Sequence, residues 1–566
     1  MKNYRPKLFD SLHGYNKSIF AADLMAGVIV GIVALPLAIA FGIASGATPE
    51  AGILTAIVAG FLISFFGGSK VQIGGPTGAF IVIVYGIIQE FGMSGLYVAT
   101  FMAGAFLILM GILRLGTIIK YIPYPIIVGF TSGIALTIFA TQINDLFGMN
   151  IEKMPADFLS KWGLYFQNIH LIKWEALLVG VGSILIITLT PKVNKKIPGS
   201  LMAIIIMTVV GLVLNKMGIV GIETIGDRFS INPELPVAEM PGITFENIRS
   251  LASPALVIAM LCAIESLLSA AVADGVIGDR HNSNQELIGQ GIANMICPLI
   301  GGIPATGAIA RTMTNINNGG RTPIAGIIHS IVLALIFLFL MPYVKYIPMS
   351  CLAGILIVVS YNMSEWRSFR AILKNPISDI VVLLVTFFLT VIFDLTVAIQ
   401  AGVLIACLLF MRRMAETTNV SVITEEIDLA DDTDVKYVGE NLSIPKGVQV
   451  YEINGPYFFG IANKFEEVMN ETGNTPKVRV IRMRKVPFID STGVHNLTNM
   501  CKISQKMRIP VVLSGVNDDV MNVLMKSGFS NVVGKENICI HIDMALERAE
   551  SIIAERQKNT LKSPLK

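Results

Sequence analysis

The sequence has little charge and little polar surface. Of its 566 residues 15% are Asp, Glu, Lys or Arg, whereas a typical soluble domain has about 25%. Hydrophobic residues make up 53% of the chain, and the mean hydropathy is +0.67. This composition excludes an ordinary water-soluble globular protein. The formal net charge of +3 is also too small and too dispersed to indicate a nucleic-acid partner.

Cysteine is scarce, and no motif of enzyme chemistry is present. The six cysteines form no C-x-x-C pair, and four of them lie in apolar runs, where cysteine acts as a small buried hydrophobe. We therefore expect no disulfide, no metal site, no cofactor and no enzymatic activity. The chain has no GxxxxGK[ST] segment, so it is not an ATP-driven pump by itself. No cleavable signal is expected, because the first apolar run, 24–43, is span-length and lacks a small-residue cleavage site.

Long apolar runs dominate residues 23–411. A helix needs about 20 consecutive apolar residues to cross a bilayer, and runs of this kind recur throughout this part of the chain. The sequence therefore predicts a polytopic α-helical membrane protein with fourteen spans. These are 24–45, 50–67, 76–90, 95–115, 121–142, 171–190, 199–220, 254–276, 286–300, 306–318, 323–341, 347–361, 376–393 and 396–411.

The loops between these spans alternate in charge. If the N-terminus is cytoplasmic, every second loop lies inside, and those loops carry Lys and Arg. The loop 221–253 then falls outside and leans acidic. This is the positive-inside pattern of membrane proteins. It predicts a multi-pass protein of the cell inner (cytoplasmic) membrane with both termini in the cytoplasm.

One unusual phrase occurs twice. Residues 74–80 read GGPTGAF and residues 301–308 read GGIPATGA, each inside apolar sequence, although glycine and proline are typical of surface turns. The threonines of the two phrases are 229 positions apart (306 − 77), and two Tyr-Ile-Pro phrases are 225 positions apart (346 − 121). Two markers at nearly one offset predict an internal repeat of seven spans. An odd number of spans inverts the second copy, so we expect a 7+7 inverted repeat.

Each copy of the phrase is predicted to begin a short helix at membrane depth. Proline suits a first helical turn, because its missing N–H is not needed there. The free N–H groups of the first turn, with roughly +0.5 of a charge at each helix start, then form an anion site without a lysine. The predicted substrate-binding residues are Thr77, Gly78, Ala79 and Phe80, with Thr306, Gly307 and Ala308. The alternative is ordinary helix packing through small residues, which does not require proline and threonine at both starts.

Two charged residues lie inside predicted spans. Glu265 is about midway along span 254–276, and Arg311 lies in span 306–318, about one and a half turns after Thr306. Charges at that depth are costly and are usually functional and paired. We expect Arg311 to contribute to substrate binding and Glu265 to coupling, with Ser269 one helical turn from Glu265 on the same face. The alternative is a structural ion pair.

The character of the sequence changes after Arg413. The preceding part, 1–415, is predicted to be a transmembrane transporter domain, the polar and acidic segment 416–440 a linker, and 441–566 a cytoplasmic domain. Short strands alternate with helices in this last part, which predicts a small α/β domain. The predicted strands are 448–453, 477–483 and 510–516, and the predicted helices are 463–470, 492–506 and 518–526.

These motifs together resemble a known family. The segments GGPTGAF, AIESLLSAAVADGVIGDRHNSNQELIGQGIAN, GGIPATGAIARTMTN and FIDSTGV are similar to those of the sulfate permease (SulP) family of anion transporters. The resemblance covers the whole chain. It implies a seven-plus-seven inverted repeat with core and gate domains, a cytoplasmic STAS domain and a homodimer. It also implies a substrate site between the starts of the third and tenth helices, with Glu265 as the acidic residue of the eighth helix and Arg311 as the arginine of the tenth.

Two features depart from the sulfate-type pattern. Pro36 is followed by Leu37, as in some bicarbonate-type relatives, where many sulfate-type members have glutamine. The segment 490–493 reads Asp-Ser-Thr-Gly and resembles the phosphorylated-serine loop of soluble anti-sigma antagonists, which many transporter STAS domains lack. Ser491 is therefore a candidate regulatory residue, although we favour its interpretation as a helix cap. The sequence leaves the identity of the anion open.

Charge arithmetic predicts the coupling ion. The two helix starts supply roughly +1, Arg311 adds +1 and ionised Glu265 subtracts 1, so a dianion leaves the site short of one positive charge. A proton on Glu265 supplies that charge, whereas Arg311 repels a sodium ion. We expect proton-coupled, sodium-independent secondary transport of a small inorganic anion or dicarboxylate. The alternatives are a sodium-coupled bicarbonate symporter, a nucleobase permease of the same fold, and a membrane sensor with STAS output.

Overall fold

The structure is a computed structural model of the chain. It describes residues 4–117, 123–151, 154–155, 157–193, 198–217, 221–230, 245–393, 395–423, 426–427, 442–459 and 475–561. The chain divides into two compact units, Met1–Ala406 and Cys407–Lys566. We call them the membrane unit and the C-terminal unit.

The membrane unit is built from α-helices. In a bilayer the backbone polar groups have no water to bind, and an apolar segment satisfies them internally by forming a helix. The helices are α1 (Lys7–Ser11), α2 (Lys17–Ala44), α3 (Pro49–Phe66), α4 (Ile81–Ile112), α5 (Tyr124–Leu146), α6 (Phe158–Gln167), α7 (Trp174–Val193), α8 (Gly199–Lys216), α9 (Ile225–Arg228), α10 (Phe245–Ile277), α11 (Ser283–Ile296), α12 (Ile309–Asn317), α13 (Ile324–Val344), α14 (Met349–Met363), α15 (Trp366–Ile372), α16 (Ile377–Ile392) and α17 (Leu395–Thr417).

Eight helices in the described part of the chain are long and apolar enough to cross a membrane. The prediction of a multi-pass helical protein is confirmed, whereas the count of fourteen spans is not. Helices α11 and α12 fall on two predicted spans but have 14 and 9 residues. They are short because the chain between them forms a 3-10 turn, Cys297–Ile300, and then an extended segment that includes the second glycine-proline phrase.

Helix α4 contains a break between the predicted third and fourth spans. Gly92 has φ 70° and ψ −178° inside an otherwise continuous helix. That conformation is accessible essentially to glycine alone, because a Cβ atom would clash with the backbone. The sequence predicts a boundary at residues 91–94, and the structure has the break at the glycine within it.

Close backbone contact joins α4 to α11. A Cβ atom added to Gly104 would lie 2.6 Å from the carbonyl oxygen of Gly291, and one added to Gly291 would lie 2.6 Å from the carbonyl oxygen of Gly104. Small residues at such crossings let membrane helices approach until their backbones touch. This packing fixes α4, which follows the first glycine-proline phrase, against α11, which precedes the second.

The C-terminal unit is an α/β domain around a five-stranded sheet. The strand order is β3 (Asn419–Ile423), β6 (Val448–Asn454), β7 (Val478–Arg482), β8 (Val511–Ser514) and β9 (Ile538–Cys539), with β3 antiparallel and the others parallel. Strands β1 and β2 belong to the membrane unit and are described below, and the short strands β4 (Glu426–Ile427) and β5 (Leu442–Ser443) pair with each other outside this sheet. Helices Ser491–Lys506, Asp518–Lys526 and Ile542–Leu561 accompany it. The three predicted strands and two of the predicted helices are therefore present, and the predicted helix 463–470 lies outside the described residues.

Part of the predicted linker is a strand of this sheet. All of Asn419–Ile423 pairs with β6, from Asn419 opposite Asn454 to Ile423 opposite Val450. Val420 and Val422 pack against the apolar core of the C-terminal unit. The acidic composition of 416–440 concealed this strand, because the two valines occupy only alternate positions of a short segment.

Candidate functional site

The two glycine-proline phrases meet inside the membrane unit. Gly74 and Gly75 form a short strand, β1, that pairs antiparallel with a second short strand, β2, made of Thr306 and Gly307. All four residues are buried. Non-helical backbone at membrane depth requires partners for its polar groups, and each phrase supplies some of them to the other. The predicted correspondence of the phrases is therefore a direct contact.

Side chains of α12 hold the first phrase. The N–H of Ile73 donates to the hydroxyl of Thr312 at 3.1 Å, and the carbonyl of Ile73 accepts from the N–H of Ala308 at 2.9 Å. The side-chain amide of Asn315 donates to the carbonyl of Val71 at 2.9 Å. The extended chain leading to β1 is thus anchored to the helix that follows β2.

The second phrase is held by α3, α10 and α11. The fully buried Asn294 of α11 donates to the carbonyl of Ala305 at 2.8 Å and accepts from its N–H at 2.9 Å. Thr55 of α3 binds both the N–H and the carbonyl of Ile303, and Thr306 donates to the carbonyl of Cys262 at 3.0 Å. Buried backbone groups need such partners, since leaving one unpaired costs about 1–3 kcal/mol.

The first helix start agrees with its predicted form. Thr77 is extended, with φ −129° and ψ 160°, and Gly78, Ala79 and Phe80 form a 3-10 turn that leads directly into α4. All four residues are buried. The N–H of Phe80 already donates to the carbonyl of Thr77 at 3.3 Å, so the N–H groups of Gly78 and Ala79 are the ones that have no partner within the helix and are available to a ligand.

The prediction of first-turn positions at the second helix start is wrong. Thr306 and Gly307 belong to β2, and the N–H of Ala308 is bound to the carbonyl of Ile73, so α12 begins one residue later at Ile309. The strand pairing with β1 keeps these residues extended. The N–H groups without an intrahelical partner at this end are therefore those of residues 309–311, because the N–H of Thr312 already donates to the carbonyl of Ala308 at 2.9 Å.

The two intramembrane charges bind to the first phrase and not to each other. The hydroxyl of Thr77 donates to Glu265 Oε2 at 2.9 Å, and Arg311 Nη2 donates to the carbonyl of Pro76 at 3.1 Å. Glu265 and Arg311, which are both described, form no ion pair within 4.0 Å. The alternative of a structural ion pair between them is therefore not the arrangement in this structure.

Arg311 is deeply buried with half of its guanidinium unpaired. Its side chain is 2% exposed, and Nη1 has no hydrogen-bond partner in the described part of the chain. A Cβ atom on Gly75 would overlap Nη1, so the guanidinium lies directly against the backbone of β1. The positive charge of Arg311, a residue of α12, thus lies directly against the paired strands.

Ser269 belongs to the same hydrogen-bond network. Its hydroxyl donates to that of Thr312 at 3.3 Å, and Thr312 in turn accepts from the N–H of Ile73. The predicted neighbour of Glu265 therefore supports the strand pairing and makes no direct contact with the carboxylate in the described structure.

Sequence reasoning missed a second layer of polar residues. Gln72 is 3% exposed, and neither atom of its side-chain amide has a hydrogen-bond partner in the described structure. A Cβ atom on Gly307 would overlap this side chain. Asn294, Asn315 and Thr55, which hold the phrases, were also missed. The available signal was the presence of uncharged polar residues in apolar spans next to the two phrases.

Ser491 does not cap its helix in the C-terminal unit. The helix Ser491–Lys506 is capped by Asp490, whose carboxylate accepts from the N–H of Gly493 at 2.7 Å. Asp490 also accepts from the N–H of Phe459 at 3.3 Å. The cap interpretation of Ser491 is wrong because the preceding aspartate takes that position, which leaves Ser491 exposed as the first helical residue.

Family models match both units. A model described as the sulfate permease family matches residues 20–386, and one described as the STAS domain matches residues 441–549. The Bacillus subtilis protein YvdB, provisionally named a sulfate transporter, is 41% identical over 534 residues, which are 94% of this chain and 98% of YvdB. The bicarbonate transporter BicA of Picosynechococcus sp. is 30% identical over 499 residues, 84% of this chain and 85% of BicA.

Solved structures are similar to the same regions. The transmembrane domain of a cyanobacterium bicarbonate transporter BicA is 30% identical, with a TM-score of 0.61 over 69% of this chain and 98% of that chain. The murine Solute Carrier 26 family member A9 anion transporter, 18% identical, has a TM-score of 0.86 over 96% of this chain and 94% of that chain, and so shares its fold. The chain belongs to the sulfate permease family of membrane anion transporters and carries a STAS domain in its C-terminal part.

Proposed function

We propose that this protein is a secondary active transporter of a small inorganic anion or dicarboxylate of the sulfate and bicarbonate class. The anion binds between the start of α4 at Thr77–Phe80 and the start of α12 after Thr306–Ala308. Gly78, Ala79 and residues 309–311 offer backbone N–H groups, Phe80 completes the first turn, and Gly307 and Ala308 position the second start through the strand pairing. Glu265 and Ser269 belong to the coupling machinery.

The observation that carries this proposal is the pairing of β1 with β2. It joins two helix starts, each with roughly +0.5 of a charge, inside an apolar unit. Convergent helix starts form an anion site, because unpaired N–H groups and dipoles both favour negative charge. Ordinary packing of small residues does not account for a buried arginine against the same strands.

Arg311 acts on the anion mainly through its charge. Its Nη2 donates a hydrogen bond to the carbonyl of Pro76, and its burial against Gly75 holds the guanidinium in place next to the proposed site. In a poorly screened environment a fixed positive charge at short range stabilises a bound anion. The same charge disfavours a sodium ion next to it, and this supports sodium-independent transport.

Glu265 is placed to couple a proton to anion binding. Thr77, at the first helix start, donates a hydrogen bond to its carboxylate. When a dianion occupies the site, a proton on Glu265 restores the balance of charge with Arg311 and the helix starts. The coupling is thus expected for sulfate or a dicarboxylate and is not required for bicarbonate.

The relatives' names support the substrate class. YvdB is named for sulfate and BicA for bicarbonate, and this chain is similar to both along most of its length. Its Pro36–Leu37 pair departs from the sulfate-type pattern, whereas the buried Arg311 suits a dianion. A panel that includes sulfate, bicarbonate and dicarboxylates is therefore the appropriate substrate test.

The remaining parts of the proposal concern assembly and regulation. We place residues 1–415 in the transporter domain and 441–566 in the STAS domain, joined by the segment 416–440, of which Asn419–Ile423 is a strand of the C-terminal sheet. We also propose a homodimer in the inner membrane with both termini in the cytoplasm. The STAS domain regulates or assembles the transporter and does not bind the anion. Ser491, exposed and next to the capping Asp490, is its candidate regulatory residue.

The test is uptake of labelled anions into proteoliposomes under a proton gradient alone and under a sodium gradient alone. We expect stimulation by the inward proton gradient and none by sodium. Glu265→Gln, which mimics the protonated carboxyl, should still bind the anion and lose the proton stimulation. Strong stimulation of the wild type by sodium alone contradicts the coupling, and absence of uptake or binding for every anion of the panel contradicts the function itself.

A further inference from the structure

A cavity of about 230 Å³ lies beyond the first helix start, separate from the strand pair. It is lined by parts of α2, α4, α5, α6, α9 and α14. Tyr85, one of its lining residues, is five positions after Phe80 on α4 (85 − 80), which is about 7 Å along a helix axis. Because the charge pattern predicts that span 76–90, which contains Tyr85, runs outward, the cavity lies on the outer side of the proposed anion site.

A buried lysine in the lining of this cavity favours an anionic ligand. Lys161 of α6 lines it and is 3% exposed. Its ammonium is 5.4 Å from the centre of the Tyr85 ring, and no carboxylate lies within 4.0 Å of it among the residues that the structure describes. A buried lysine ordinarily has an ionic partner, since desolvating an ammonium is costly.

The arginine that lines the cavity already has two carboxylate partners. Arg228 binds Asp145 at 2.9 Å and Glu223 at 2.5 Å. Thr141 and Gln142 also line the cavity, and their side chains bind each other at 2.8 Å. Lys161 is therefore the cation of this cavity that has no carboxylate in direct contact among the described residues, because Asp157, which lowers the free energy of its charged form, acts on it only from beyond 4.0 Å.

The cavity has room for a hydrated oxyanion. Each water occupies about 30 Å³ in the liquid, so the volume of about 230 Å³ accommodates a small oxyanion with several waters. A lysine ammonium has three donors and suits a ligand that changes orientation as it passes. The aromatic face of Tyr85 keeps the ammonium in place when no anion is present.

We propose that this cavity is an outer capture site, in which Lys161 binds the transported anion before it reaches the paired helix starts. The inference rests on the proposed transport function and adds a second, outward-facing binding step to it. The ligand is the same small oxyanion or carboxylate that the transporter carries. The site is expected to lower the external concentration needed for uptake and to leave the affinity of the central site unchanged.

The experiment compares Lys161→Gln with the wild type from both sides of the membrane. Uptake of labelled sulfate and bicarbonate into whole cells gives the external KM, and inside-out vesicles give the internal KM. We expect the external KM to rise about tenfold, because a charge-assisted contact contributes at least the 1.4 kcal/mol of a tenfold change. The internal KM should not change, and Lys161→Arg should restore uptake.

The matched control is Lys345→Gln. Lys345 also lies over a tyrosine ring, with its ammonium 5.0 Å from the centre of the Tyr346 ring, but it is exposed and does not line the cavity. An external KM that is unchanged in Lys161→Gln, raised equally in Lys345→Gln, or raised equally on both sides of the membrane overturns the capture site. A wild type that neither binds nor transports either anion overturns instead the transport function on which it rests.

Discussion

The two helix starts come from nearly the same phrase and fold differently. After Pro76 only Thr77 is extended, and Gly78–Phe80 then turn directly into α4. After Pro304 it stays extended through Thr306 and Gly307, and α12 begins only at Ile309. The threonines also differ, because Thr77 binds the carboxylate of Glu265 and Thr306 binds a backbone carbonyl.

We propose that, because of this asymmetry, the two helix starts have different roles in transport. The start of α4 is connected to the ionisable Glu265, whereas the start of α12 is fastened by Asn294 and carries the buried Arg311. In the proposed mechanism, the two similar helix ends differ in role: the end at α4 serves coupling, and the end at α12 supplies charge and support. Changes at the two ends should therefore have different consequences.

The largest effect is expected at Arg311. Arg311→Ala removes the buried positive charge and the bond to Pro76. Anion affinity should fall about a hundredfold, because hydrogen bonds and charges in a dry site contribute about 1.5–3 kcal/mol each. Equilibrium binding of the labelled anion to purified protein measures it.

Arg321→Ala is the control for that change. Arg321 follows α12 and binds the carbonyls of Ile316 and Gly320, away from the strand pair. It should lower thermal stability and leave the affinity intact. Equal affinities for wild type and a folded Arg311→Ala protein exclude the electrostatic role of Arg311.

The second prediction concerns the supports of the two phrases. Asn294 binds both backbone groups of Ala305, whereas Asn315 makes one bond, to Val71. Asn294→Ala should lower stability by about 2–5 kcal/mol and Asn315→Ala by about 1–3 kcal/mol, since each unpaired buried group costs about 1–3 kcal/mol. Thermal unfolding in detergent ranks them, and the reverse order contradicts the account of how the phrases are held.

The third prediction compares Thr77→Val with Thr306→Val. Both changes remove a hydroxyl at nearly constant volume, but only the first frees Glu265. Thr77→Val should reduce the proton stimulation of uptake about two- to threefold, the scale of a net hydrogen bond of about 0.5 kcal/mol. Thr306→Val should lower stability and keep the stimulation. An equal loss of proton stimulation in both variants contradicts the proposal that only Thr77 acts in coupling.

The smallest effect is expected from external pH through the capture site. Burial lowers the pKa of Lys161, so its charge is lost at a lower pH than in an ordinary lysine, and the external KM should rise as pH increases through that value. The nearby Asp157 has its pKa lowered by hydrogen bonds from Ser160, and Arg228, despite burial, has its pKa raised by Glu223 and Asp145, so both stay ionised.

The cavity is also lined by Asp145, which is bound to Arg228, and by Tyr85, which faces Lys161. Lys161→Arg keeps its charge at every pH of interest and should give a flatter profile. A rise in the external KM that is as steep in Lys161→Arg as in the wild type assigns the titration to another group.

Much of the architecture was predictable because it depends on local pattern. The length of the apolar runs predicted the membrane helices, and the alternation of short strands with helices predicted the α/β domain that contains β6. The recurrence of the glycine-proline phrase predicted that its two copies lie together. Thr306–Ala308 differ from their predicted helical conformation because they pair with a segment more than 200 residues away. The hydrophobic periodicity of a sequence contains no information on such a pairing. Lys161 was missed because α6 lies between predicted spans, and its burial depends on elements far apart in the chain.

The central claim is that an anion binds between the two helix starts. Its most direct test is to determine the structure with the preferred anion of the uptake panel, or a heavy-atom analogue such as selenate for sulfate, and to locate the anion by anomalous scattering. The account predicts a peak within hydrogen-bond distance of the N–H groups of Gly78 and Ala79 and of residues 309–311. At saturating anion, a peak elsewhere in the membrane unit with none between the helix starts would contradict it.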